Sequence, residues 1–357
     1  MSSSEISGKP RRPRSSDERE RERNPFFTPP KNPNYLRRAR FHDYTLPGKY
    51  MLTLYKHPDL PPYSTIDGDP RRKGTTTPAA IERNDPAFLP PHTRLHPEGK
   101  IIPEALKAWA ARYPCIKLAE HVVMPDHVHI CLRVTHKMEI DLSTCVSKFM
   151  GECTRRLRHL TGNPTAVCFA PGFNDKIAFT DEQYLTQRRY VRENPRRYMI
   201  RRLHPELFYS RSELLVEGKT YHAIGNIHLL HHPQRVAVRF SRRYASAEME
   251  RLYAQWMHCA ENSGVLVSPF IHPREKEALH EGLDLGASVI KIMENGIPPR
   301  LHPKGKYFDL CAAGRLLLIA PAEYTTRPDD LTYARAQQLN ALAAAIAQTE
   351  YRGKIIR

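Results

Sequence analysis

An α+β domain, an antiparallel sheet covered by helices, followed by an α/β domain with a parallel sheet, is the architecture this sequence predicts. Three observations lead there. Between residues 35 and 203, β-rich runs and amphipathic helices alternate in the order strand, helix, hairpin, helix, helix. After about residue 204, short and almost wholly apolar strands alternate with helices, the pattern of strands buried on both faces. The chain has 357 residues, enough to bury two cores.

Residues 1–34 read as a disordered basic tail. Ser, Pro, Arg and Glu dominate, as in Arg11–Arg14 and Asp17–Arg23, and too few apolar side chains are present to offset the cost of ordering the backbone. Residues 35–203 form the first domain. Lys49–Lys56 is its first strand. Residues 57–98, rich in Pro, Asp and Thr, read as an irregular surface loop in which His92 and His96 are surface residues. Pro103–Arg112 is a helix with a proline near its start. Cys115–Val123 is a second β-run, and Met124-Pro125-Asp126 a tight turn, so a return strand begins at His127. Asp141–His159 is a helix whose Val146, Phe149, Met150, Cys153 and Leu157 recur at helical spacing and face the sheet. Its Lys148, Arg155, Arg156 and Arg158 fall elsewhere, either along a DNA path or on a solvated face. A short aromatic segment around Phe173 precedes a helix that carries Tyr190 and continues past Pro195 into Arg196–Arg202.

Residues 204–228 read as a linker and 229–357 as a Rossmann-like α/β domain. Gln234–Phe240, Gly264–Pro269, Ser288–Met293 and Arg315–Ala320 are its strands. Ser246–Ala260, Pro273–Gly286 and Asp330–Thr349 are its helices. No G-x-G-x-x-G occurs, so dinucleotide binding is not supported and no organic cofactor is expected. Ligands of open α/β sheets sit at the carboxyl ends of the strands. Ser268-Pro269-Phe270 and Pro321-Ala322-Glu323 are therefore candidate lining, with a structural or DNA-docking role equally open.

Composition narrows the partner class. A formal net charge of +17 suits a polyanion such as nucleic acid. The seven cysteines are scattered without a C-x-x-C pair, which argues against structural zinc and for a reducing compartment. No apolar run is long enough to span a membrane, and no apolar signal region opens the chain. A soluble, cytoplasmic protein is expected.

Chemistry concentrates in two motifs. In a strand, His127 and His129 project to one face while Val128 and Ile130 point to the other, so two imidazoles can converge on one metal ion above a buried sheet. Tyr190 and Asn194 stand at i and i+4, on one helical face. An amide oxygen can complete a His-His-amide site for a hard divalent cation, and a tyrosine beside it can attack phosphorus. Two plainer readings stand beside these. Tyr190 can pack the helix on the sheet, and Asn194 can cap a new helix with Pro195 at its first position.

Met124-Pro125-Asp126-His127-Val128-His129, followed by Tyr190-Val191-Arg192-Glu193-Asn194-Pro195, resembles the single-tyrosine HUH transposases, in particular the REP-associated tyrosine transposase branch. Pro171–Ile177 resembles the aromatic-rich stretch that precedes the family's tyrosine helix. The resemblance covers roughly residues 35–203. It departs from the family at Phe169-Ala170-Pro171, where many relatives have Trp-Gln, and in the Pro/Thr-rich insertion after the first strand. It implies a ferredoxin-like HUH fold, with His127, His129 and Asn194 as ligands of Mg²⁺ or Mn²⁺ and Tyr190 as nucleophile. The implied activity is that of a single-stranded DNA endonuclease and strand transferase, working through a 5′-phosphotyrosine link on single-stranded or hairpin DNA in a bacterial, nucleoid-associated setting. Relatives leave both a homodimer and a monomer open. The C-terminal pattern, by layout, weakly resembles the Rossmann-like domains of the Smf/DprA group.

Phosphate contact is assigned to Arg188, Arg189, Arg192, Arg196, Arg197, Arg201 and Arg202, a basic series around and beyond Tyr190. Two other readings keep the same residues. In one, the constellation is catalytically decayed, and a DNA-binding module leaves the biological role to a C-terminal domain that binds a nucleotide or partner. In the other, a metal-dependent hydrolase makes Tyr190 a bystander.

Overall fold

The computed structural model describes residue 39 and residues 42–69, 89–216, 218–241, 243–298, 301, 303–321 and 331–348. The tail expected at 1–34, Asp85-Pro86 of the expected loop, and Ala322-Glu323 lie outside the described residues. The chain divides into two compact units between Arg196 and Arg197.

In the first unit, four antiparallel strands take the order β4-β5-β1-β6. They are β1 (Gly48–Tyr55), β4 (Ile116–Val123), β5 (His127–Val134) and β6 (Asn174–Ala178). Strand periodicity sorts their side chains. Tyr50, Leu52 and Leu54 of β1 and Val128, Ile130, Leu132 and Val134 of β5 share one core. Ile102, Leu106 and Trp109 of α1 (Pro97–Arg112) join it, with Val146, Phe149, Cys153 and Leu157 of α2 (Leu142–Thr161). The Trp109 indole N–H donates to the Cys145 carbonyl at 3.0 Å, so its one polar atom is satisfied inside the core.

Three details differ from the sequence reading, and the first is that Asn174–Ala178, part of the aromatic segment before the tyrosine helix, is an edge strand paired with β1. Within the stretch expected as irregular loop, β2 (Ser64–Asp67) and β3 (His92–Leu95) pair antiparallel. Their polar composition hides a strand signal, and Arg94 Nε donates to Asp67 Oδ2 at 2.7 Å across the pair. Helix α1 starts at Pro97, six residues before the predicted start, where a missing N–H costs nothing. Pro103 is an interior proline of that helix. Gly99 is required in its first turn, because a Cβ there would stand 2.1 Å from the Tyr63 carbonyl oxygen.

The second unit holds a six-stranded sheet in the order β7-β8-β12-β11-β10-β9. Strands β9 (Arg235–Ala237), β10 (Val265–Ser268), β11 (Ser288–Ile292) and β12 (Leu316–Ala320) are parallel and lie in sequence order. Alternation splits them between two cores. Leu266, Val289, Leu316 and Leu318 pack with α5 (Ser246–Glu261), α6 (Pro273–Asp284) and α7 (Lys306–Ala312). Val265, Val267, Ile290, Ile292, Leu317 and Ile319 pack with α8 (Tyr333–Gln348). Residues 204–228, read as a linker, instead carry a hairpin of β7 (Arg211–Val216) and β8 (Lys219–Gly225), and β8 extends the sheet antiparallel to β12. Short strands with charged and turn-forming residues concealed it. Ser268, expected as ligand lining, is fully buried, and its hydroxyl accepts the Phe270 N–H at 2.9 Å in a local turn bond.

Asp141 caps α2: Oδ1 accepts the N–H groups of Ser143 and Thr144 at 2.8 and 3.0 Å. Burial opposes its ionisation, but the hydrogen bonds from Thr144 and Ser143 outweigh it and hold the carboxyl below its ordinary value. Asp141→Ala is expected to cost about 1 kcal/mol, read as a lower denaturant midpoint at unchanged slope. A depressed carboxyl contributes fully above about pH 4 and loses its contribution as pH falls through the depressed value, so wild type and variant should converge in acid.

Candidate functional site

The face of the first sheet opposite its main core carries the candidate site. Register places Thr53 beside His129, Tyr55 beside His127 and Val122 on the other side of His129. Helix α3 (Asp181–Arg192) lies against β4, β5, β1 and β6. Its start is fixed reciprocally: Thr180 Oγ1 accepts the Gln183 N–H, and Gln183 Oε1 accepts the Phe179 N–H at 2.8 Å. Tyr184, Gln187 and Val191 form its buried stripe.

Three of the four residues singled out for catalysis come together. The His127 and His129 rings lie 4.5 Å apart between centroids, and the Tyr190 ring lies 5.5 Å from that of His129. His129 is 6% exposed. Burial, then the neighbouring His127, push its pKa down to about 3, which keeps the imidazole neutral as a metal ligand must be. Both histidines are held through Nδ1. That of His129 bonds Thr53 Oγ1 at 2.9 Å, and that of His127 bonds Asp126 Oδ1 at 2.7 Å. In the tautomer that carries its proton on Nδ1, Nε2 of each ring is the nitrogen left to ligate. Its hydrogen bond to His127 holds the Asp126 carboxyl below its ordinary value. Thr53 and Asp126 were not singled out from the sequence. Their signal was present, since Asp126 adjoins His127 and Thr53 lies on the neighbouring strand in the matching face.

Asn194 stands one turn beyond Tyr190, 7% exposed. The tyrosine helix does not run on as one element. It breaks at Glu193, and α4 (Asn194–Leu203) follows, because Pro195 has no N–H to continue the α3 ladder. The two imidazoles are the nitrogen donors that this face brings together. Among the described residues, no group of three or more His, Cys, Asp or Glu side chains is placed to hold one.

The seven arginines separate by environment. Arg188 and Arg192 both donate to Oε1 of Glu120, the former at 3.1 Å. Burial opposes ionisation of Glu120, but these two partners hold its carboxyl below the ordinary range. Arg189 is exposed, and Arg196 partly buried. Arg202 is exposed and donates to the Tyr198 hydroxyl at 2.9 Å. Arg197 is 7% exposed, with its guanidinium 4.5 Å from the centre of the Phe308 ring. That of Arg201 lies 5.3 Å from the same ring. These two fill cation–π positions against a core that also holds Ile200 and Phe208.

No helix among the described residues is long and apolar enough to cross a membrane. No protein-family model matches the chain, and no curated protein matches it. Among solved structures it is similar to a REP-associated tyrosine transposase bound to a REP hairpin, at 14% identity and TM-score 0.28 over 45% of this chain and 74% of that one. It is also similar to DNA processing protein A from Helicobacter pylori, a structure described for its single-stranded DNA binding mode, at 17% identity and TM-score 0.27 over 39% of this chain and 66% of that one.

The buried state of His129 has a measurable consequence. Ring resonances in a pH titration should leave His129 neutral well below about pH 6.5, where an ordinary imidazole charges. Between those limits the unfolded chain binds a proton that the folded chain does not, so stability should fall as pH drops below about 6.5. His129→Asn should lose less stability than wild type over the same range.

Proposed function

We propose that this protein is a metal-dependent single-stranded DNA endonuclease and strand transferase that works through a 5′-phosphotyrosine intermediate. The observation that carries the reading is the contiguous set of His127, His129 and Tyr190 rings on one sheet face, with His129 neutral and both Nδ1 atoms held. The charge of +17 supports a polyanionic substrate.

His127, His129 and Asn194 would hold the ion, and two imidazoles with an amide fit Mn²⁺ at least as well as Mg²⁺. When bound, it would withdraw charge from the scissile phosphate. The Tyr190 phenolic oxygen forms a bond to phosphorus as the bond from phosphorus to the 3′ oxygen breaks. The phenolic proton leaves to solvent, and the departing 3′ oxygen takes one up as a free hydroxyl. One phosphoester replaces another, so the 3′-hydroxyl can later reverse the step and rejoin strands without ATP. The residues contribute placement above all, which is what phosphoryl transfer requires. Exposed Arg189 and Arg202 are the arginines best placed to meet backbone phosphates.

Wild type incubated with labelled hairpin DNA and Mn²⁺ should give a protein-sized labelled adduct on a denaturing gel. Tyr190→Phe should abolish it while DNA binding persists. Cleavage without adduct would make Tyr190 a bystander of hydrolysis, and binding without any reaction would leave a DNA-binding module. Thr53→Val should weaken Mn²⁺ binding about 10- to 100-fold by calorimetry, because His129 loses a side-chain partner that orients it.

A further inference from the structure

Strand β4 contains a β-bulge whose position decides what faces α3. Leu118 pairs with Leu132, but the next pair is Glu120 with Cys131, so Ala119 is the extra residue. Without it, Glu120 would pair with Ile130 and turn toward the main core. With it, Glu120 shares a face with Cys131 and His129, the face that α3 covers. There one carboxylate oxygen receives both Arg188 and Arg192. The Glu120 side chain is 22% exposed and that of Arg188 33%, so the pair is partly desolvated; Arg192, at 64%, closes the outer side.

From this we infer that Glu120 is a positioning residue for Tyr190, acting through the roll of α3; the inference rests on Tyr190 being the nucleophile. The helix touches the sheet with one buried stripe, Tyr184, Gln187 and Val191, which fixes its height better than its rotation about its own axis. Arg188 and Arg192 are four residues apart and lie along one flank. Tyr190, about 200° around the helix from Arg188 at about 100° per residue, lies on the other flank. Anchoring one flank to β4 therefore sets the angle at which the opposite flank presents the phenol to His129. A helix with its side chains has a radius of about 5–6 Å, so a roll of about 10° moves the outer part of a side chain by about 1 Å. A displacement of about 1 Å can cost about a hundredfold in rate. The clamp assigns Arg188 and Arg192 to geometry rather than to phosphate.

The test compares full-length wild type, Glu120→Gln, Arg192→Met and the double variant, each with 3-fluorotyrosine at position 190. Three quantities are read: the ¹⁹F signal of the free protein, affinity for hairpin DNA, and the single-turnover rate of adduct formation with Mn²⁺. The clamp predicts a shifted or split ¹⁹F signal in Glu120→Gln. It also predicts DNA affinity within about twofold of wild type, a rate lower by ten- to a hundredfold, and a double variant no slower than Glu120→Gln alone. Arg192→Met should reproduce the ¹⁹F change and serves where Glu120→Gln fails to fold. A wild-type ¹⁹F signal and rate in Glu120→Gln would overturn the inference. So would tighter DNA binding at unchanged rate, which would make the arginines DNA ligands restrained by Glu120. If wild type forms no adduct, the proposed function fails, and the ¹⁹F signal by itself still decides the clamp.

Discussion

The two-residue period of β5 is the constraint on which the candidate site depends. Val128, Ile130, Leu132 and Val134 are at most 1% exposed and belong to the main core of the first unit, so the strand cannot slip without exposing them. Burying each aliphatic side chain contributes about 1.5–3 kcal/mol, and a one-residue slip would lose several such terms together. The same slip would drive His127 and His129 among apolar side chains. Core packing on one face thus holds the imidazoles in place on the other, and α1 and α2 support the site from the core side of the sheet.

The α3 face obeys a different logic. It is half polar, and its geometry comes from specific partners: Thr53 for His129, Asp126 for His127 and Glu120 for the two arginines. Each partner restrains a side chain that would otherwise rotate. Such contacts contribute modestly to stability, since many are partly exposed. Their effect is to narrow the range of orientations, and a reaction that depends on alignment is sensitive to that range.

Much of this was legible in the sequence, and what was hidden has common causes. The central strands, α2 and most of the alternating strands and helices of the second unit announce themselves by apolar periodicity, whereas α7, seven residues long, does not; the His127, His129 and Tyr190 rings lie together. The β2–β3 pair and the β7–β8 hairpin escaped because Ser64–Asp67 and Lys219–Gly225 are polar or mixed and pair for reasons of tertiary context. The start of α1 was missed because Pro103 looks like a first-turn proline, whereas Pro97 is the one that occupies it. The break at Glu193 was visible in Pro195. The bulge at Ala119 was not, because nothing in Leu118-Ala119-Glu120 marks an extra residue, and the partner of Glu120 follows from the bulge.

The arginines show how far charge alone can be taken. The run from Arg196 to Arg202 looks uniform in sequence, yet Arg197 and Arg201 cover Phe308 in an apolar core while Arg202 stays exposed. An arginine can occupy either setting because its guanidinium is planar and weakly hydrated, stacking on a ring as readily as it meets a phosphate. Local sequence does not say which surface an arginine will find; packing does. In the second unit, β9 to β12 lie in sequence order, and Pro321, at the carboxyl end of β12, lines a cavity of about 720 Å³ together with Tyr221 and Arg335. On the sheet face beneath α3, by contrast, neutral imidazole, phenol and clamped carboxylate meet, each in a place set by a named partner.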